Sequence, residues 1–218
     1  MREHAMIVIS WVTVAVLAAI ATLALALLPE GTQLPMHWNL AGEADRHGDA
    51  GFALFAPVVM CAVLSLVFAV LPRLEPLQNR MEGSAALYRA GWIGILGIMI
   101  MVELLVAAPA FGWTIPIMLP LVGAGLLLIY VGNVLPKSRP GFFVGIRTPW
   151  ALLDTDNWIA THRLGAWTTM AGGLALLLAG LLPLTPAERG ALVAGALLVS
   201  TIPPVFYSWL LWHRRQKM

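Results

Sequence analysis

The run from Ala5 to Leu28, AMIVISWVTVAVLAAIATLALALL, holds no charged residue over 24 positions. A helix rises 1.5 Å per residue, so about 20 apolar residues cross the roughly 30 Å of hydrocarbon in a bilayer. The run is long enough to span. It exceeds the usual apolar region of a signal peptide, and Leu27-Leu28-Pro29-Glu30 makes a poor cleavage site, so it reads as a retained helix. Five further segments share its character: about Phe52–Pro72, Ala90–Phe111, Trp113–Val134, Leu164–Leu184 and Ala191–Trp212. Pro, Gly or charged clusters follow each one and mark its end. The predicted fold is all-α, a bundle of six transmembrane helices in one membrane domain over residues 1–218. Residues 1–90 hold the first two spans and an outer loop, and 113–185 hold spans four and five with a second rich loop.

The composition supports this reading. Of 218 residues, 60% are apolar and 11% charged, and the mean hydropathy is +0.84. A soluble domain carries about 25% charged residues. So little charge excludes a disordered chain, a nucleic-acid-binding domain and an ordinary soluble enzyme. The first partner is therefore the lipid bilayer, with no direct nucleic-acid partner expected. Cys61 is the one cysteine, so no disulfide can form within the chain.

The charges set the expected orientation. Of the 13 basic residues, 11 fall in alternate connections: Arg2; Arg73, Arg80 and Arg89; Lys137, Arg139, Arg147 and Arg163; Arg214, Arg215 and Lys217. The remaining loops hold Arg46 and Arg189. Positive residues stay inside, so both termini are expected in the cytoplasm, with the chain crossing the membrane several times. Removing any span would scramble the alternation, which supports six spans independently of hydropathy. Trp11, Trp92, Trp209 and Trp212 are expected as anchors at the inner interface, and Trp113 at the outer one.

Two connections are richer than linkers need to be. The outer one runs from Pro29 to Asp49 and includes His37-Trp38-Asn39 and Asp45. The inner one runs from Asn133 to Arg163. Asp154 or Thr155 is the expected N-cap of a helix carrying Trp158 and His162, four apart and on one face. Before it, Arg147-Thr148-Pro149-Trp150 is expected to be extended, because proline restricts its predecessor.

The inner string comprises Gly132-Asn133, Leu135-Pro136-Lys137, Arg139-Pro140, Phe143, Gly145-Ile146-Arg147-Thr148-Pro149-Trp150, Trp158 and Thr161-His162-Arg163. It resembles the signature of the SdpI family, bacterial multispanning proteins named for an immunity protein against a secreted killing toxin. The outer loop, with Leu34-Pro35, His37-Trp38-Asn39, Gly42 and Asp45, resembles an uncharacterised domain that often precedes that signature. The one departure is Gly141, where the family pattern has Asn. The resemblance implies toxin resistance and membrane capture of a cytoplasmic repressor. The partners it implies are a peptide toxin outside and a regulator inside.

Candidate binding residues follow from both lines. His37, Trp38, Asn39 and Asp45 form the outer set; Asn133, Lys137, Arg139, Arg147, Thr148, Trp150, Trp158 and His162 form the inner set. The inner charges alone satisfy the positive-inside rule and contact with lipid head groups. The Gly, Pro, Trp and His beside them call for a structured site. Glu103 stands mid-span between Val102 and Leu104, where a charged carboxylate costs about 2.5–3.5 kcal/mol. It reads either as a proton or ligand site or as a protonated carboxyl satisfied by its neighbours. No base stands beside a serine or Cys61, so covalent catalysis is not expected, and no cofactor is implied. The chain is read as a binding protein and not an enzyme. Two alternatives remain: a small proton-coupled transporter using Glu103, and a membrane-embedded metal enzyme using His37, His47, Asp45 and Asp49. The outer residues lack the tight spacing of a metal motif, so no metal site is assigned. Prolines 57, 109, 116, 120, 203 and 204 interrupt the spans, as is common in membrane helices.

Overall fold

A computed structural model describes residues 2–75 and 78–216. Lys217 lies outside the described residues, as do the side chains of Arg2 and Arg80. Six helices are long and apolar enough to cross a membrane. They are α1 (Arg2–Leu27), α2 (Ala50–Leu74), α3 (Gln78–Ala107), α4 (Leu119–Val134), α6 (Thr155–Leu181) and α7 (Pro186–Arg215). A one-turn helix, α5 (Pro149–Leu153), precedes α6. The protein is thus a multi-pass, six-span helical membrane protein. Large apolar side chains such as Val12, Val63, Leu66, Leu198 and Phe206 face outwards, as a lipid-facing surface requires.

The outer loop folds as a β-hairpin, β1 (Gln33–Trp38) paired antiparallel with β2 (Ala44–Asp49). The register pairs Gln33 with Asp49 and Trp38 with Ala44, with an irregularity around His37. Asn39 builds the turn: its side-chain oxygen accepts from the Ala41 and Glu43 N–H groups at 2.9 and 3.0 Å. Gly42 sits at φ +85, and a Cβ there would lie 2.8 Å from Ile117 Cγ2, so the turn rests directly on the α3–α4 connection. Asp49 ends β2 and caps α2, accepting from Phe52 N–H at 3.2 Å.

Small residues set the packing of the C-terminal spans. Without a hydrophobic drive between helices in lipid, close approach at small residues supplies the attraction. On α6, Ala166, Gly173 and Gly180 recur at heptad spacing and meet α4. A Cβ on Gly173 would lie 2.6 Å from the Gly125 carbonyl oxygen, and one on Gly132 would lie 2.8 Å from that of Ala166. The adjacent row, Gly165 and Gly172, meets α7 in the same way, at Pro204 and at Ala196 and Ser200. Spans α4, α6 and α7 therefore run antiparallel in sequence. The N-terminal spans use bulkier contacts: Leu17, Ala21, Leu54, Val58, Trp92 and Leu96 form a core with Leu34 of the hairpin.

Four expectations change. The fourth span starts at Leu119 and not Trp113, because Gly112 turns left-handed at φ 66 and Trp113–Pro116 has no helical structure. The Arg147–Trp150 stretch is extended only to Thr148. Pro149 opens α5, with the Thr148 hydroxyl capping Ala151 N–H at 3.1 Å. Trp92 is no interfacial anchor. It is 2% exposed and stacks on Phe68 inside the bundle. Glu103 is nearer the hairpin end than mid-span, because α3 starts at Gln78 and ends at Ala107. Pro57, Pro203 and Pro204 lie inside continuous helices, whereas Pro109 and Pro120 sit in first turns, where proline lacks no hydrogen bond.

Candidate functional site

The inner loop is built around two fully buried rings. Asp154 caps α6 at Asp156 N–H, 3.0 Å away, so Trp158 and His162 stand one turn apart near the helix start. Their rings stack at 4.0 Å with 19° between planes. His162 Nδ1 lies 2.8 Å from the Trp158 carbonyl, and Nε2 accepts from Ile146 N–H at 2.9 Å. These partners call for the neutral ring with its proton on Nδ1, and both nitrogens are occupied. The Trp158 indole N–H donates to the Ser138 carbonyl at 3.3 Å. The loop can reach the rings because of Gly145, at φ +111. A Cβ there would lie 2.6 Å from His162 Nε2 and 2.7 Å from Trp158 Cζ2.

Other anchors hold the loop from outside. The Glu75 carboxylate, at the end of α2, accepts from the N–H groups of Phe142 and Phe143 at 3.1 and 3.2 Å. Ser84 of α3 exchanges two hydrogen bonds with the backbone of Arg139, at 3.0 and 3.1 Å. Arg147 is exposed and donates to the Phe142 carbonyl at 2.8 Å. At the other end of the loop a buried chain of hydroxyls and an amide runs from α5 into α7. Thr148 meets Ser208 at 2.5 Å, and Ser208 donates to Asn157 Oδ1 at 2.7 Å. Thr161 donates to the same oxygen at 3.0 Å, while Asn157 Nδ2 donates to the Ser208 carbonyl at 2.9 Å. A buried network satisfied in this way rigidifies its surroundings. Arg215 adds ion pairs to Asp154 and Asp156, tying the end of α7 to the start of α6.

The structure thus brings Thr148, Trp158 and His162 into one built site, with Trp150 at its edge against Trp212 at 5.8 Å. It leaves Lys137, Arg139 and Arg147 exposed on the surface of that site. Asn133 is apart from them, exposed on α4. Sequence reasoning missed Glu75, Ser84, Asn157 and Ser208 as parts of the site. Asn157 and Thr161 gave a usable signal, a polar pair spaced four apart on a helix. Ser208 gave none, because it lies 51 residues from the amide it serves.

At the opposite end, His37 donates to Asp45 across the hairpin at 2.6 Å, and this bond holds the Asp45 carboxyl below its ordinary value. Trp38 and Asn39 line a cavity of about 360 Å³ between the hairpin, α3, α4 and Arg189. Among the described residues, no group of three His, Cys, Asp or Glu side chains could hold a metal ion. Glu103 is fully buried, and neither carboxyl oxygen has a hydrogen-bond partner among the described residues.

Comparison with known proteins agrees with this division of the chain. The model of the SdpI/YfhL protein family matches residues 137–208, from the start of the inner loop to the serine that closes its buried network. A domain of unknown function, DUF1648, matches residues 5–61, which span α1, the hairpin and the start of α2. The fold and these two segments define a polytopic helical membrane protein with a built loop at each end of the bundle. Over residues 137–208 the chain is similar to the SdpI/YfhL family. No curated protein and no solved structure matches it.

Proposed function

We infer that the chain is an immunity or sensor protein of the bacterial inner membrane, that it binds and does not catalyse, and that both termini are cytoplasmic. The observation that carries this reading is the state of the family-matching loop. Its buried polar side chains are spent on one another and on backbone, as a rigid docking element needs and a reactive centre does not. No nucleophile pairs with His162, whose two nitrogens are occupied. In this reading the hairpin end meets a secreted peptide toxin, and the exposed Lys137, Arg139 and Arg147 present a basic face to a cytoplasmic regulator.

Expression in toxin-sensitive cells tests it. Wild-type protein should raise survival at least tenfold over an empty vector, and Gly145→Ala should not. Equal survival of vector and wild-type cells, with the protein present in the membrane, refutes immunity. One observation favours a second reading, a proton-coupled carrier: the fully buried Glu103, without a hydrogen-bond partner among the described residues. Proton flux in reconstituted vesicles that Glu103→Gln abolishes would support it, and flux unchanged by that variant would remove it.

A further inference from the structure

Arg189 is one of two basic residues outside the signature end, and the hairpin-side surface would keep it solvated. Instead it is 8% exposed. It sits in the first turn of α7, after the Thr185–Glu188 capping box. Its Nε donates to the Ala179 carbonyl at 3.1 Å, and its Nη1 reaches the Leu40 carbonyl in the hairpin turn at 2.6 Å. The remaining nitrogen, Nη2, makes no hydrogen bond among the described residues. No carboxylate among the described residues lies within ion-pair distance of the guanidinium. The nearby acids are engaged elsewhere: Asp45 with His37, Glu43 with Asn39, and Glu188 with its own N-cap.

This largely buried guanidinium bonds two backbone carbonyls and has no counter-charge among the described residues. Such a charge is expensive unless paired. The guanidinium lines the cavity of about 360 Å³ under the hairpin, a size that suits a small ligand. The other walls separate by chemistry. His37, Trp38 and Asn39 come from the hairpin, and Val102, Leu105 and Leu121 form an apolar wall from α3 and α4. Arg189 and Ala179 both stand within three residues of helix ends, and the ends of spanning helices lie near the head groups.

We propose that this cavity is a binding site for an anionic membrane lipid, with Arg189 as the counter-ion to its head group. The lipid's phosphate or carboxylate pairs with the free edge of the guanidinium, a planar fork suited to both anions. The start of the acyl chain packs on Val102, Leu105 and Leu121. The hairpin, fastened by the Arg189–Leu40 bond, closes over the head group. The proposal does not depend on the immunity reading.

The test is native mass spectrometry of the full chain in neutral detergent, titrated separately with dioleoyl phosphatidylglycerol, dioleoyl phosphatidylcholine and oleate. Wild-type protein should hold one phosphatidylglycerol at least tenfold more tightly than phosphatidylcholine. Arg189→Gln should erase that preference. Leu121→Trp fills the cavity but leaves the guanidinium and its two carbonyl acceptors in place, and should lower phosphatidylglycerol affinity at least tenfold. If Arg189→Gln fails to fold, Leu121→Trp decides alone. The oleate arm separates a carboxylate head from a phosphate head, and tight, Arg189-dependent binding of either supports the site. Equal binding of charged and zwitterionic lipid overturns it, as does a Leu121→Trp protein that keeps full affinity. Arg189-dependent binding of a hydrophobic peptide with a free C-terminal carboxylate, without binding of either anionic lipid, also overturns it.

Discussion

Replacing Gly145 by alanine removes the one feature that lets the inner loop lie against the Trp158–His162 stack. The residue sits at φ +111, where an L side chain is strained, at roughly 1–3 kcal/mol. The added methyl also lands 2.6 Å from His162 Nε2 and 2.7 Å from the Trp158 ring. Both rings are 0% exposed and held by hydrogen bonds at their far edges, so neither can swing away. Overpacking of this kind costs about 1–3 kcal/mol. If the loop lifts to escape the clash, the Ile146 N–H to His162 bond is lost, worth about 0.5–1.5 kcal/mol. These three effects partly relieve one another, so the expected destabilisation stays below their full sum, at about 3–4 kcal/mol. Denaturant unfolding in detergent, followed by tryptophan fluorescence, measures it. Hydrogen exchange at the Ile146 amide should accelerate in parallel. A Gly145→Ala protein within about 1 kcal/mol of wild type, with its Ile146 amide still protected, would refute the reasoning, since it would mean the loop does not press on the rings.

Other outcomes follow from the same geometry. Gly173→Leu forces apart α4 and α6, whose backbones approach to within 2.6 Å of the missing Cβ, and should destabilise by several kcal/mol in a thermal unfolding assay. Asn157→Leu leaves the Thr161 hydroxyl without its partner and removes one bond each from the Ser208 carbonyl and hydroxyl, at about 1–3 kcal/mol, while Ser208→Ala should be milder because it leaves the Asn157–Ser208 carbonyl bond in place. Glu103→Met should raise the unfolding midpoint, because it replaces an unpartnered buried carboxyl by an apolar group of similar size. The His37–Asp45 pair lowers the folded-state value of Asp45, so its contribution is fully present above the ordinary value of 3.8 and fades only as pH falls through the lowered one. A carboxyl-carbon NMR titration should therefore place the Asp45 midpoint below 3.8, and Asp45→Asn should remove the acid dependence of hairpin stability.

The six spans were legible in the chain because lipid allows only one economical solution for a long uncharged segment: every backbone group bonded within its own helix. The Ala5–Leu28 run needs no partner to be read this way. The Asp154 cap was legible too, since capping is local chemistry. The signature residues were legible as a pattern, though their purpose was not. Trp92 shows where local reading stops. A tryptophan near a span end is an anchor by base rate, yet neighbouring Phe68 and Tyr88 draw this one into the bundle.

What only the tertiary structure decided depends on contacts between distant parts of the chain. Ser208 and Asn157 are 51 residues apart, and no local rule pairs them. Arg189 reaches the carbonyl of Leu40 across 149 residues. From sequence it was one of two stray basic residues that made the charge count lopsided. In the fold it is a buried cation with no carboxylate partner among the described residues. Hydropathy and charge order determine how many times the chain crosses the bilayer, because each segment meets lipid on its own. Which polar side chains are satisfied, and which are left facing a cavity, depends on how the segments pack.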